Sequence, residues 1–317
     1  MKILITGAAG FIGMHLTKKL LKLGYEVDGI DSLSKISNLQ IKKIRLSELS
    51  KLNNFKFFDF DIKEINKNKS LGKYDCVVHL AAHAGVRNSF KLSNEYLFNN
   101  LIGHNEILKF CVRQSSKLFY ASSSSVYGEH DNKISKEFDT TDEPSSIYGV
   151  TKKSCEMLSK NYFDIEGLPQ LGFRFFTVYG EYGRPDMAYW IFTECIKHNK
   201  EITVFNDGNM LRDFTYIDDV ILAIELAIKN FNESDNIILN IGRGKQRKVK
   251  DLIKIIEKKL DKSALIKSLP KNIQDVSATS SDNSRANELF GYDPKFDLEE
   301  GMENFIDWHD HLDIKFP

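Results

Sequence analysis

Three glycines near the N-terminus constrain the fold more than any other feature of the sequence. Gly7, Gly10 and Gly13 stand in GAAGFIG, directly after the apolar run KILIT and directly before a stretch with helical spacing. Glycines let the backbone turn sharply and approach a pyrophosphate closely, and a helix that begins there presents free N–H groups to it. This context predicts a strand, turn and helix that bind a dinucleotide, with a tight structural turn as the alternative.

Short apolar runs alternate with helical patterns through the first half of the chain. The predicted strands cover residues 2–6, 26–30, 55–60, 76–80, 118–121 and 170–175. This alternation predicts an α/β fold, a Rossmann-type doubly wound parallel sheet with a smaller, interleaved C-terminal substrate domain. We assign residues 1–170, with about 210–240, to the dinucleotide-binding domain and residues 171–209 and 241–317 to the substrate domain.

Composition and charge narrow the function classes. The chain carries 44 Lys plus Arg and 44 Asp plus Glu, so its balance gives no electrostatic reason to expect nucleic acid or a membrane as partner. We find no signal-peptide layout and no apolar run of about 18 residues. The cysteines Cys76, Cys111, Cys155 and Cys195 form no CxxC pair, so we expect reduced thiols in a cytoplasmic protein and no metal site.

Acidic residues follow two of the predicted strands. Asp31 ends the second strand, where a carboxylate can accept hydrogen bonds from the adenosine ribose and repel a 2′-phosphate, which favours NAD over NADP. A strand-end aspartate that caps a turn is the alternative. Asp61 and Ile62 follow the third strand and are expected to border the adenine, with an ordinary loop acid as the other interpretation.

A tyrosine, a lysine and a run of serines supply the candidate reactive groups. Tyr148 and Lys152 form YGVTK, and in a helix these positions share one face. A tyrosine is a poor base at neutral pH because its ordinary pKa is about 10, but a neighbouring ammonium and a positive nicotinamide favour the phenolate. Residues 122–125 are serines that follow a predicted strand, where open parallel sheets bind ligands. A chance pair and a serine-rich turn are the alternatives.

Taken together, these motifs resemble the extended short-chain dehydrogenase/reductase family. The matching stretches are GAAGFIG, Asp31, LAAHAGVR, Asn100, ASSSSVYG and YGVTK. The resemblance implies a catalytic triad of Ser123, Tyr148 and Lys152, in which the tyrosine deprotonates the sugar 4-hydroxyl while C4 gives hydride to NAD. The residues expected to hold the cofactor are Gly7, Gly10, Phe11, Ile12, Gly13, Asp31, Asp61, Ile62, Leu80, Ala81, Ala82, Asn100, Tyr148 and Lys152.

The second half of the chain is similar to UDP-glucuronate 4-epimerases in RFFTVYG, GRPDMA and RDFTYIDD. This similarity implies NAD-dependent inversion of C4 of a UDP-sugar, here UDP-glucuronate to UDP-galacturonate, through a transient 4-keto intermediate. An epimerase or 4,6-dehydratase for a UDP-N-acetylhexosamine or a GDP-sugar is the alternative, and a non-catalytic dinucleotide sensor is another. The residues expected to bind the substrate are Arg87, Ser124, Ser125, Thr177, Arg184, Arg212 and Asp275.

The residues that follow Ser123 separate epimerisation from dehydration. Sugar 4,6-dehydratases place an Asp-Glu pair there, and uronate decarboxylases tend to carry a Glu where Ser125 stands. A serine hydroxyl is too weak an acid and base for those roles. We hypothesise instead that Ser124, Ser125 and Thr177 hydrogen-bond a substrate carboxylate, while arginines, with their planar fork of donors, bind the diphosphate.

Several positions depart from the uronate-epimerase pattern. His83 and Asn88 stand where Gln and Tyr are usual, Gly149 replaces Ala, and Glu181 with Tyr182 replaces Pro-Trp. We expect the first two to lie near the sugar. Glu181 is expected to bring negative charge close to an anionic substrate, which is unfavourable unless a neighbouring arginine compensates.

Two further expectations concern helices. The paired Asp218 and Asp219 are expected to cap the helix that opens there rather than to bind metal. The family resemblance implies a homodimer in which the helices at about 94–113 and 148–163 pair across a two-fold axis.

Overall fold

The computed structural model describes residues 1–34, 38–129, 134–232, 235–271 and 275–312. Its strands are β1 (Lys2–Thr6), β2 (Glu26–Asp31), β3 (Phe55–Asp59), β4 (Cys76–His79), β5 (Lys117–Ser123), β6 (Gln170–Phe175), β7 (Thr177–Tyr179), β8 (Glu201–Phe205), β9 (Leu211–Tyr216), β10 (Asn236–Ile241), β11 (Gln246–Lys248) and β12 (Leu265–Leu269). Its α-helices are α1 (Phe11–Lys22), α2 (Leu39–Ser50), α3 (Ser93–Tyr96), α4 (Gly103–Gln114), α5 (Ile147–Glu166), α6 (Ala188–Lys197), α7 (Ile217–Asn230), α8 (Val249–Leu260), α9 (Ser284–Phe290) and α10 (Leu298–Asp310).

Seven parallel strands form the central sheet in the order β10-β6-β5-β4-β1-β2-β3. The order reverses at β1, which is the point where doubly wound sheets open a crevice for ligands. β1 packs Ile3 and Ile5 on one face and Leu4 on the other, and all three are fully buried. A strand with both faces covered must be apolar throughout, so the KILIT run predicts its place in the sheet.

Two small sheets lie outside the central one. β7 and β9 pair in parallel and β9 and β11 in antiparallel fashion, while β8 pairs with β12. β6 joins the central sheet although residue 171 was expected to begin the substrate domain, because Gln170–Phe175 pairs along its length with β5. Leu211–Tyr216, which was expected in the dinucleotide-binding domain, lies in a small sheet. The full division into domains stays a prediction.

The long helix α5 is capped at both ends by residue types that commonly cap helices. Ser146 stands at the N-cap with extended backbone, and its hydroxyl accepts a hydrogen bond from the N–H of Gly149 at 3.0 Å. Gly167 ends the helix in the left-handed region, with φ of 66°. Such a cap contributes about 1 kcal/mol, and it fixes the first turn, where Tyr148 lies.

The helix expected over residues 94–113 is interrupted. α3 and α4 are joined by a π-helical segment, Leu97–Ile102, in which backbone hydrogen bonds join residues five apart instead of four. None of the helices in the described ranges is long and apolar enough to cross a membrane.

The expectation that Asp218 and Asp219 cap α7 is wrong. Tyr216 is the N-cap residue, and no side chain caps the helix. The Asp219 carboxylate instead accepts hydrogen bonds from the backbone N–H groups of Lys295 and Phe296, at 2.8 and 3.1 Å. It therefore ties α7 to the segment before α10, a contact too distant in sequence for a capping rule to anticipate.

Buried histidines in the central sheet predict sensitivity to acid. His104 stacks on His79 at 5.3 Å, and burial lowers the pKa of His104 to about 3 and the pKa of His79 well below its usual range. In the unfolded chain each of these histidines binds a proton near pH 6.5, whereas in the folded state it stays neutral at that pH. The free energy of unfolding is therefore highest above pH 6.5 and falls as the pH is lowered.

We therefore expect His104→Gln, which keeps a polar partner for Ser159, to flatten the acid side of the stability curve. Between pH 7 and pH 5 the free energy of unfolding should fall by about 2 kcal/mol less in the variant than in the wild type. Urea unfolding at the two pH values measures this difference. Equal losses in the two proteins would contradict the assignment of a neutral, buried His104.

Candidate active site

The glycine turn after β1 is closed so tightly that side chains are excluded. Gly7 has φ of +73°, and a Cβ built there would lie 2.8 Å from the backbone nitrogen of Ala81. A Cβ at Gly13 would lie 2.1 Å from the carbonyl oxygen of Gly7, and one at Gly10 would lie 2.8 Å from the same atom. The three glycines therefore bring β1, α1 and the end of β4 into backbone contact. The order of strand, turn and helix is the one that the sequence predicts.

The first turn of α1 is open to an anion. Gly10 is the N-cap residue and offers no side-chain cap, and no acidic residue stands in the first turn. The N–H groups of Phe11, Ile12 and Gly13 therefore have no intrahelical carbonyl and carry the positive end of the helix dipole. These free N–H groups at the start of α1 fit the pyrophosphate of a dinucleotide.

Asp31 is held at the end of β2 by a lysine that sequence reasoning missed. Lys42 on α2 donates to Asp31 Oδ1 at 2.7 Å, and the N–H of Leu33 donates to the same atom at 3.0 Å. The pair puts both an acceptor and a cation where the adenosine ribose is expected. No spacing rule links the two residues, because they lie on different elements, β2 and α2.

Asp61 acts as a local cap. Its carboxylate accepts from the N–H of Lys63 at 2.9 Å and heads the short 3₁₀ turn Ile62–Glu64. Ile62 is buried, and its side chain fills the space above Gly103, where a Cβ would lie 2.6 Å from it. Both residues follow β3, next to the strand that carries Asp31, so a border to the adenine stays a prediction for each.

Leu80, Ala81 and Ala82 leave β4 beside the glycine turn. The N–H of Leu80 donates to the carbonyl of Thr6 at 3.1 Å, and the N–H of Ala81 donates to the Thr6 hydroxyl at 3.3 Å. These bonds extend the strand pairing by one residue and leave the half-buried alanines next to Gly7. Their small side chains keep the crevice open.

Asn100 braces the site through its side-chain amide. Its Oδ1 accepts from the N–H of His83 at 2.8 Å, and its Nδ2 donates to the His83 carbonyl at 3.1 Å and to the Thr151 hydroxyl at 3.0 Å. The residue is buried, and three of its hydrogen bonds are made within the protein. Asn100 thus holds the segment that lines the crevice to the helix that carries Tyr148, at the centre of the π-helical segment.

The candidate proton-transfer pair lies on the first two turns of α5. Lys152 is buried and donates to the carbonyl oxygen of Ala121 at 2.8 Å, and its ammonium lies 5.9 Å from the centre of the Tyr148 ring. The Tyr148 ring is half-buried and meets the edge of Tyr96 at 6.2 Å. The two residues share one face of the helix, as their spacing predicts.

The four serines divide into different environments. Ser122 is buried and donates to Glu156 Oε1 at 2.6 Å, which commits it to the interior. Ser123 lies at the end of β5 and donates to the Ser125 hydroxyl at 3.1 Å, while the N–H of Ser125 donates back to Ser123. Ser124 and Ser125 are half-exposed in a 3₁₀ turn. The sequence alone could not separate these roles.

A buried ion pair supports this end of the sheet. Arg174 on β6 donates from Nε and Nη2 to the two oxygens of Glu156 on α5, each at 2.8 Å. Its Nη1 donates to the Tyr127 hydroxyl at 2.9 Å. A bidentate pair with further hydrogen bonds is the arrangement in which buried charges are tolerated, so α5, β6 and the serine turn are locked together.

Gly149 allows the serine turn to close on α5. A Cβ there would lie 2.5 Å from the carbonyl oxygen of Ser125. Because Ser123 pairs with Phe175 across β5 and β6, the residues that follow each strand, including Ser125 and Thr177, emerge at the same edge of the sheet. The departure from the usual alanine thus has a steric reason.

Arg184 lies between the crevice and Tyr96. It donates from Nε and Nη2 to Asp186 at 3.0 and 2.6 Å, and from Nη2 to the carbonyl of Ala84 at 3.3 Å. Gly85, with φ of +111°, leaves room for the guanidinium, since a Cβ there would lie 2.9 Å from Nη2. The residue is therefore positioned by the segment after β4.

A second cluster gathers Arg87, Arg212 and Asp275. Arg87 is exposed, donates to Asp275 Oδ2 at 3.0 Å and stacks on the Phe205 ring at 4.6 Å. Burial lowers the pKa of Arg212 despite Asp275, and Arg87 lowers it further. The Arg212 guanidinium donates to the carbonyl of Leu211 at 2.8 Å and not to Asp275. Arginine groups that are not neutralised by direct pairing can bind a diphosphate. Phe205, which the sequence analysis did not single out, packs against this cluster.

Glu181 does not face the arginine clusters. Its carboxylate accepts from the Tyr216 hydroxyl at 2.8 and 2.7 Å, and burial raises its pKa. The Glu181 carboxylate, which was expected close to the substrate, therefore faces Tyr216 on β9. His83 is held through its backbone, and burial together with Lys42 lowers the pKa of its ring, so it is neutral at pH 7.

The residues form no metal centre. No group of three or more His, Cys, Asp or Glu side chains in the described part of the chain is arranged to hold a metal ion. The arrangement can instead hold a dinucleotide at the glycine turn, transfer a proton through Tyr148 and bind an anionic ligand at the arginines.

Comparison with known proteins agrees with this geometry. A crystal structure of UDP-glucuronic acid 4-epimerase from Bacillus cereus in complex with UDP-glucuronic acid and NAD superimposes with a TM-score of 0.91 at 36% identity, over 98% of this chain and 99% of that chain. UDP-glucuronate 4-epimerase 4 of Arabidopsis thaliana is 36% identical over 97% of this chain and 75% of its own length. An uncharacterised protein of Methanocaldococcus jannaschii is 44% identical over 96% of this chain and 95% of its own length.

The predicted Rossmann-type fold is confirmed by these likenesses. The model of the NAD dependent epimerase/dehydratase family matches residues 3–242, which is more than half of the sequence. The chain therefore belongs to the NAD dependent epimerase/dehydratase family.

Proposed function

We propose that this protein is an NAD-dependent UDP-glucuronate 4-epimerase, which interconverts UDP-glucuronate and UDP-galacturonate. The observation that carries the proposal is the pairing of Tyr148 and Lys152 on one face of α5, with Lys152 bonded to the β5 carbonyl of Ala121, two residues before Ser123. Hydroxyls stand at 124 and 125, where a dehydratase needs acids. The similar Bacillus cereus enzyme is named for the same reaction and was crystallised with UDP-glucuronic acid and NAD.

Tyr148 is the proton carrier in this proposal. It takes the proton of the sugar 4-hydroxyl as C4 is oxidised and returns it after the 4-keto sugar has turned over in the pocket. Lys152, fixed by the carbonyl of Ala121, provides the positive charge that favours the phenolate. Ser123 shares the proton through its hydroxyl. The chemistry that NAD supplies when bound is reversible acceptance of the C4 hydrogen.

The same residues argue against elimination or decarboxylation. Both reactions need a carboxylate or carboxylic acid close to C5 and C6, and the turn after β5 offers the hydroxyls of Ser124 and Ser125 instead. Glu156 lies nearby but is bound to Arg174 and Ser122 inside the protein. A buried, paired carboxylate cannot serve as an acid or base without breaking that pair.

The UDP portion fits the cluster of arginines. We assign the diphosphate to Arg87, Arg212 and Arg184, and the uridine ribose to Asp275, whose carboxylate already accepts a hydrogen bond from Arg87. The Arg87 guanidinium lies over the face of the Phe205 ring, and this stacking holds the arginine in place for the diphosphate. The uronate carboxylate is then assigned to Ser124, Ser125 and Thr177, which can donate hydrogen bonds without repelling it.

The homodimer belongs to this proposal. Exposed apolar side chains cluster on two adjoining elements, the π-helical segment and α5: Leu97, Phe98, Ile102, Val150, Met157 and Ile165. Burying them against a second copy removes apolar surface from water at about 25 cal/mol per Å². A two-fold axis lets one patch cover its own equivalent.

We also assign the protein to the cytoplasm. All four cysteines are free, and Cys76, Cys111 and Cys155 are buried. Persistent free thiols suit a reducing compartment. Burial raises the pKa of Cys155 to about 11, so that thiol is unreactive at neutral pH.

The direct test is incubation of the protein with UDP-glucuronate and NAD, followed by proton NMR of the sugar. We expect the galacto epimer to form without a second substrate. Tyr148→Phe should lower kcat by about 10²–10⁴-fold, because it removes the proton carrier but keeps the ring. Full turnover in this variant, or a dehydrated or decarboxylated product in the wild type, would overturn the proposal.

The same assay tests the carboxylate site. Ser125→Ala should raise KM for UDP-glucuronate more than KM for the neutral UDP-glucose, because only the uronate loses a charge-assisted hydrogen bond. Equal effects on the two sugars would contradict the assignment of Ser125 to the substrate carboxylate. They would not bear on the proposed chemistry at C4.

Neighbouring serines give a matched pair of variants. Ser123→Ala should lower kcat by about 10-fold or more, because its hydroxyl shares the proton with Tyr148. Ser122→Ala should instead destabilise the fold by about 1–3 kcal/mol, because Glu156 loses a buried partner, and should keep most of its turnover. Thermal unfolding and steady-state kinetics distinguish the two, and reversed behaviour would show that the catalytic hydroxyl has been misassigned.

Sedimentation tests the dimer. Met157→Lys places a charge in the apolar patch on α5 and should convert a dimer to a monomer at micromolar concentration. Phe138→Lys is the matched control, because Phe138 is 84% exposed and lies outside that patch. A wild type that sediments as a monomer, or a Met157→Lys variant that stays dimeric, would argue against this interface.

A further inference from the structure

Arg45 on α2 is a buried cation held by backbone groups. It is 3% exposed, and no carboxylate lies within salt-bridge distance among the residues that the structure describes. Its guanidinium donates from Nη1 to the carbonyl of Ala9 at 3.2 Å, from Nε to the carbonyl of Tyr182 at 2.8 Å and from Nη2 to the carbonyl of Gly183. Three carbonyls thus take the place of a counter-ion.

These carbonyls come from two functional loops. Ala9 belongs to the glycine turn, which fits the cofactor pyrophosphate, and Gly183 directly precedes Arg184, which we assign to the UDP-sugar. The planar fork of an arginine can serve several acceptors at once, whereas a lysine ammonium on its flexible stem cannot span them in the same way. Arg45 is therefore a direct bridge between the cofactor side and the substrate side.

A second contact supports the bridge from α1. Burial, together with Arg45, lowers the pKa of His15 to about 4, so its ring is neutral at pH 7 and its Nε2–H can donate to the carbonyl of Glu181, 2.9 Å away. Tyr182 has φ of +54°, in the left-handed region that a tyrosine rarely adopts. Its backbone is thus held in a costly conformation between two anchors on the cofactor side.

A bound dinucleotide would favour this arrangement electrostatically. Burial lowers the pKa of Arg45 to about 10, so the side chain stays charged at neutral pH although its surroundings disfavour the charge. A pyrophosphate at the glycine turn brings negative charge to this buried cation. Cofactor binding then stabilises the charged guanidinium of Arg45. Through its hydrogen bonds to residues 182 and 183, the guanidinium in turn fixes the position of the adjacent Arg184.

We propose that Arg45 is a positioning residue that couples cofactor occupancy to nucleotide-sugar affinity, by joining the glycine turn to the loop that carries Arg184. This inference rests on the proposed function for the identity of the two ligands. Linkage makes the effect reciprocal, so NAD tightens UDP binding by the same factor by which UDP tightens NAD binding. Glu181 and Tyr182, where the loop departs from the uronate-epimerase pattern, are part of the bridge.

The test is calorimetric titration of UDP into enzyme stripped of NAD and into enzyme saturated with NAD. For the wild type we expect the Kd of UDP to be about 5–150-fold lower with NAD present. In Arg45→Lys this factor should fall towards one, and Arg45→Met should behave alike where it folds. Lys43→Met is the matched control, because it removes an exposed cation from the same helix and should keep the wild-type factor.

The readout separates positioning from mere stability. A variant that loses thermal stability but keeps the full coupling factor would overturn the proposal, as would a wild type whose UDP affinity ignores NAD. Where the wild type cannot be stripped fully, the Kd of NAD with and without UDP, measured by equilibrium dialysis, gives the reciprocal factor. UDP undergoes no turnover, so a protein that shows coupling but does not epimerise UDP-glucuronate would contradict the proposed function alone.

Discussion

The bond from the Lys152 ammonium to the carbonyl oxygen of Ala121 sets the geometry on which the site depends. A buried ammonium must find a partner, and this one finds it at 2.8 Å on the neighbouring strand. The bond fastens α5 to the end of β5. Tyr148 lies one turn before the lysine and Ser123 lies two residues after the carbonyl, so this contact holds the helix turn that carries the phenol against the strand end that carries the hydroxyl.

The site combines a locked floor with an open rim. Beneath the reactive residues, Glu156 and Arg174 form a buried bidentate pair that also satisfies Ser122, and such networks rigidify what they connect. At the rim, Arg87 pairs with Asp275 and Arg184 pairs with Asp186, and both arginine side chains remain partly accessible to solvent. The floor suits chemistry that needs fixed distances, while the rim keeps donors available for a nucleotide sugar that must enter, turn and leave.

Much of this architecture follows from patterns in the sequence. Apolar runs predict the strands of the central sheet, and the glycine spacing predicts the turn, because steric exclusion at Gly7 and Gly13 leaves no other residue type. No pattern in the sequence predicted the contacts between segments that are distant along the chain. Lys42 on α2 bonds to Asp31 at the end of β2, the amide of Asn100 bonds to the backbone of His83, and Asp219 bonds to a segment far along the chain. These pairings depend on tertiary packing, which periodicity does not encode.

The most direct test of the account follows the hydrogen on C4. UDP-glucuronate carrying deuterium at C4 should give UDP-galacturonate with the deuterium still at C4, because the hydrogen leaves and returns on the same carbon while Tyr148 exchanges only the hydroxyl proton. In heavy water the C5 position should remain protiated, since no free carboxylate follows Ser123 to abstract that proton. Loss of the label from C4, or uptake of solvent deuterium at C5, would contradict the mechanism.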